Sequence, residues 1–270
     1  MEKRGFPEFE LVDDASSQVT DAGIKGVSSF LRAVCLPGLQ ELGYMIQDKV
    51  RYWRLNNVLR MLEKAKGRMS FDKDGLNLTA NPRVGLSIIN CSSEVDNDEL
   101  QELWAGLFVS SCSVDGLDDS NMNFVDLLKR MSSVEARILD YACRHCKKVI
   151  FPNKLIVASD FVISFDELSK IAKTNDIYRL DSELDHMRSI EILVTASGFG
   201  DGGGFDASDN DLSANITPSA LALHLYYKTH STGSTPVEFW GKELIPSTVI
   251  ESDENRGIAD ARVTGEEHGT

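Results

Sequence analysis

The stretch that most constrains this chain is Asp98–Cys112, DELQELWAGLFVSSC. Leu100, Leu103, Trp104, Leu107 and Phe108 recur at i, i+3, i+4, i+7 and i+8, the apolar stripe of a helix that buries one face. Asp96 is expected to cap its first turn, with Glu99 three residues on completing a capping box. Asp98, Glu99 and Glu102 suit the positive end of the helix dipole. With a Trp and a Phe on one stripe, this helix is expected at the centre of an all-helical core.

The segments before it differ in charge. Residues 1–21 carry six acids against two cations with little apolar periodicity, and are expected to form an acidic flexible arm. In residues 22–46, Val27, Phe30, Leu31, Val34 and Cys35 again follow helical spacing. Gly23, Gly26, Gly38 and Gly43 are expected to loosen this stretch, and Pro37 to kink or break it. A core helix leads. The rival is an amphipathic helix on a membrane surface, for which Lys25 and Arg32 are few cations. Gln47–Arg68 is the basic stretch of the chain, with seven cations against two acids in a protein of net charge −14. Lys49, Arg51, Arg54, Arg60 and Lys64 are candidate partner-binding residues. They suit a solvated face that pairs with acidic segments, or a polyanion such as nucleic acid or anionic lipid.

Further helices follow. Pro82 opens a short one through Val84, Leu86, Ile88 and Ile89. Phe124, Leu127, Leu128 and Met131 mark the next. Ser132 with Glu135 forms a capping box for a helix ending near Cys146. Beyond this the pattern changes. Ser164 and Glu167 open a short helix with Leu168, Ile171 and Ala172. Asn175 and Asp176 turn the chain, and Leu180, Leu184 and Met187 define a second helix. Two β-prone runs, Ile190–Ala196 and Leu212–Thr217, flank a Gly/Asp loop. Pro218 then starts a helix through Leu221 and Leu225. Helix, turn, helix, hairpin, helix is the order of a winged helix-turn-helix. Yet YRLDSELDHMRS (178–189) sets Asp181, Glu183 and Asp185 against Arg179 and Arg188. A groove-reading helix approaches phosphates with cations, so nucleic-acid contact through 178–189 is not expected.

No signature of catalysis stands out. The five histidines accompany no G-x-S-x-G or H-E-x-x-H motif, the phosphate loop G-x-x-x-x-G-K-[ST] is missing, and so is a strand-linked G-x-G-x-x-G. Cys143-x-x-Cys146 has no second pair to complete a structural zinc site. Residues 200–211 match no calcium loop. An odd count of five cysteines without a secretory signal fits reduced thiols.

Several of these stretches, in this order, resemble the abortive-infection alpha family of bacterial phage-defence proteins. They are IQDKVRYWR (46–54) running to LEKAK (62–66), DELQELWAGL (98–107), and NFVDLLKR (123–130) followed by MSSVEARILDY (131–141). ITPSALAL (216–223) is a weaker match to the family's closing helix. The resemblance covers roughly residues 22–230. Met122–Asn123 stands where the family has His-Pro, and the tail lies outside. The resemblance implies a cytoplasmic bacterial protein that limits phage spread, and brings no catalytic residue with it.

The expected fold is mainly α. A helical bundle (22–148) is followed by a winged-helix-like α+β module (149–230) with a small β-hairpin, and by a flexible acidic tail (231–270). The expected function is anti-phage defence through a bound or sensed partner, without catalysis, cofactor or metal. A protein partner or a second copy of the chain fits this reading. The alternatives are a membrane-acting effector using 22–46, peripheral at the bilayer, and a nucleic-acid-binding regulator using the basic helix 47–68.

Overall fold

A computed structural model describes residues 49–69, 78–199, 212–231 and 233–248, with side chains from Tyr52 onward. The arm at 1–21, the segment 22–46 and residues 200–211 of the Gly/Asp loop therefore lie outside the described residues.

The described protein is mainly helical. Helix α1 (Lys49–Arg68) buries Val58, Met61, Leu62 and Ala65 along one face. Helix α2 (Pro82–Ser92) starts where Asn81 accepts a hydrogen bond from the Arg83 amide and Pro82 fills the first turn, which needs no amide donor. Helix α3 (Asp98–Ser110) is the hub. It packs on α1, α2, α4 (Met122–Arg130), α5 (Ser133–His145) and α8 (Ala220–His230). Trp104 and Phe108 are 1% and 0% exposed at its centre. The cap of α3 differs from the expected one. Asn97, not Asp96, accepts from the Leu100 amide at 3.0 Å. Leu100 then occupies the position where a box needs a carboxylate, and Glu99 turns outward to Lys173 and Arg137 instead. At α5 the expected box is complete. Ser132 accepts from the Glu135 amide, and Glu135 accepts from the Ser132 amide.

Three small sheets accompany the helices. Strands β1 (Thr79–Ala80) and β2 (Cys112–Ser113) pair antiparallel. Strand β3 (Lys148–Ile150) pairs antiparallel with β4 (Ile156–Ala158) and parallel with β8 (Leu244–Pro246). Strand β7 (Ser213–Asn215) lies between β5 (Val162–Ser164) and β6 (Gly198–Phe199), antiparallel to both. Between β5 and β6 run α6 (Phe165–Ala172) and α7 (Ile177–Ser189).

Residues 190–196 do not form the expected strand. Within them only Leu193 bridges, to Pro218. The apolar run instead closes α7: the Ile192 and Leu193 amides donate to the Met187 carbonyl, and Glu191 reverses the chain at φ 62°. Ile190, Ile192 and Leu193 are thereby buried in the core. The hydrophobic signal was real, but it marks a helix end.

Packing does not break at 148/149. Helix α8 docks on α3 and α5, α5 also carries α6 and α7, and one apolar cluster runs through all of them. Nor does a tail begin at Ser231. Thr235 and Glu238 box a short helix, α9 (Pro236–Trp240), and β8 follows. Trp240 stacks on Tyr226 and lies 4.5 Å from the buried Lys148 ammonium, which Glu243 pairs at 2.8 Å. Burying a cation is costly unless it is paired, so this strap is anchored.

Candidate functional site

Four cations of α1, Arg54, Arg60, Lys64 and Arg68, meet acids and polar groups of their own chain. The Arg54 guanidinium donates to Ser93 Oγ at 2.9 Å and Asn90 Oδ1 at 2.8 Å, with Glu94 at 3.4 Å. Arg60 reaches the Asp96 carbonyl and Asp98. Lys64 bridges Asp98 at 3.0 Å and Glu102, and Arg68 joins Glu102 to the Thr229 carbonyl. Burial alone would lower the Lys64 pKa, but hydrogen bonds to Glu102 and Asp98 outweigh it and hold the ammonium above its usual value. The Lys64 hydrogen bond likewise holds the Asp98 carboxyl low. Arg54 thus ties α1 to the end of α2, and Arg60 and Lys64 clasp it to the start of α3. The Lys49 and Arg51 side chains lie outside the described residues.

A second cluster joins α5 to α7. Glu135 is 0% exposed, and its Oε1 lies 2.5 Å from His186 Nδ1. The Ser132 hydroxyl donates to Glu183, which Arg179 approaches at 3.5 Å. Burial pushes the Glu135 carboxyl above its ordinary value, and the Ser132 amide and His186 oppose this without overcoming it. The folded state therefore holds this proton more tightly than the unfolded chain does. The stabilising contribution is full below the ordinary glutamate range and is lost as pH rises through the raised value. Glu135→Gln is expected to flatten this fall in the curve of urea midpoint against pH as pH rises above the ordinary glutamate range. An unchanged slope would place the titration elsewhere.

The outward stripe of α7 carries Tyr178, Ser182, Asp185 and Ser189, with Arg179 beside it, all exposed. Tyr178 is 85% exposed. Arg188 pairs Asp185 and Arg179 pairs Glu183, so two of the three acids of this helix have a cation at hand. A large aromatic ring on a charge-balanced face suits a protein contact better than phosphate.

Cys143 and Cys146 are buried, and burial pushes the Cys143 thiol well up, which leaves it a poor nucleophile. Among the described residues no three His, Cys, Asp or Glu side chains are grouped to hold a metal ion. No described helix is long and apolar enough to cross a membrane.

Sequence reading missed the outward Tyr178, the buried Glu135–His186 contact and the β3–β4–β8 sheet. The capping box had singled out Glu135, and KKVIFPNKLIVAS (147–159) has the β-branched runs and central turn of a hairpin. A family model described as abortive infection alpha matches residues 54–210, more than half of the chain. No curated protein matches, and no solved structure does.

Proposed function

The chain belongs to the abortive infection alpha family, and on that premise we propose that it is a cytoplasmic anti-phage protein acting by binding a protein partner rather than by catalysis. The family match supports the defence role. The outward face of α7 carries the binding mode, through the 85% exposed Tyr178.

The winged-helix reading is supported by strand β5, helices α6 and α7, then β6 and β7, with the sheet order β5–β7–β6. In this reading α7 is the presenting helix, and it presents tyrosine, serine and paired charges. Because Arg54, Arg60 and Lys64 tie α1 to its neighbours, reversing them would loosen this packing as well as any partner contact. Tyr178 is the cleaner probe.

The test is phage plating on bacteria expressing the wild-type chain or Tyr178→Ala. The wild type is expected to lower plating by at least about tenfold, and the variant to lose that protection at equal expression and melting temperature. Interface tyrosines commonly account for about 2 kcal/mol or more, enough for such a loss. Equal protection by both would move the partner face away from α7. No protection by either would count against the defence role of this chain acting alone.

A further inference from the structure

The hairpin that joins β3 to β4 ends in Phe151-Pro152-Asn153-Lys154-Leu155. All five residues are exposed, the longest such run among the described residues. Their backbone is nevertheless fixed. The Phe151 amide donates to the Leu155 carbonyl at 2.9 Å, the Lys154 amide to the Phe151 carbonyl at 2.8 Å, and the Leu155 amide to Asn153 Oδ1 at 3.0 Å. Lys154 is held in the left-handed region at φ 68°. The turn therefore presents Phe151 (39% exposed) and Leu155 (52%) already in place, and docking them orders little further. Next to them, the parallel register of β8 sets exposed Pro246 beside Ile150. From Lys147 to Ser159 the hairpin contains no acid, in a chain of net charge −14. Lys148 is buried against Glu243, so Lys154 is the cation at the tip.

An apolar tip with one cation and no acid is complementary to an anionic lipid surface, where rings and aliphatic groups enter the headgroup layer and an ammonium meets phosphate. We propose that this hairpin tip is a membrane-contacting finger: Phe151, Pro152 and Leu155 enter an anionic bilayer surface, and Lys154 pairs with lipid phosphates. The lysine stem can lie along the apolar contact while its head stays in water. This places a membrane contact on a segment distinct from residues 22–46. It stands apart from the defence reading, since plating and lipid binding are separate measurements and either can fail alone.

The test is co-sedimentation of the full chain with vesicles of phosphatidylglycerol and phosphatidylethanolamine, beside vesicles of phosphatidylcholine alone. The wild type is expected to bind the anionic vesicles and to bind phosphatidylcholine far more weakly. Phe151→Ser with Leu155→Ser, and separately Lys154→Glu, are expected to weaken binding by at least about tenfold at an unchanged melting temperature, because these side chains are exposed. No binding of the wild type to anionic vesicles overturns the proposal. So does equal binding by the serine double variant, which would put the lipid contact elsewhere on the chain.

Discussion

Replacing Gly106 with alanine is expected to destabilise the protein by about 3 kcal/mol, the upper part of the range for overpacking a close contact. A Cβ on Gly106 would overlap the Thr229 carbonyl oxygen and come within 2.5 Å of its carbon and of Arg68 Nη1. The arginine can swing aside, but the backbone of α8 cannot without moving the whole helix. Alanine is the better helix former by about 1 kcal/mol, so propensity alone predicts the opposite sign. The clash wins because Thr229 is itself tied into α8, and because Arg68 would lose its 2.7 Å bond to that carbonyl. Urea unfolding decides the matter: a variant as stable as the wild type would mean that α3 and α8 lie farther apart than described.

Trp104→Ala is expected to cost about 3–5 kcal/mol, as removal of a fully buried large side chain does when the site cannot collapse. Trp104 is 1% exposed on the helix that touches five others. Its indole nitrogen has no hydrogen-bond partner, so packing rather than a polar bond carries the effect. Trp104→Phe should accordingly lose much less, about 1.5 kcal/mol or under. Comparable losses in both variants would mean that the indole N–H matters after all.

The sequence disclosed what repeats locally and hid what is joined over distance. The Leu100-to-Phe108 stripe was plain because five apolar residues share one helical face, and burial followed from it. The Ser132–Glu135 box was plain because both partners lie within one turn. Asn97 and Asp96 are both good caps, and only the geometry of the turn chose between them. Strand β8 meets β3 from nearly a hundred residues downstream, and nothing local in GKELIP announces that pairing. The same holds for the basic stretch. Its charge was obvious, and so were the acids at the start of α3. That Lys64 lies between Asp98 and Glu102 depends on how α1 and α3 cross. Tyr178 was counted within a helix of mixed charge, and its exposure emerged only when α7 was seen to turn Leu180, Leu184 and Met187 inward.

The measurement that bears most directly on the proposed role is the growth of bacteria carrying this chain after infection at low and at high multiplicity. Abortive infection predicts that the culture survives at low multiplicity and collapses at high multiplicity, with few phage released in either case. Survival at both multiplicities would contradict it, because cells that live through infection have blocked the phage without dying.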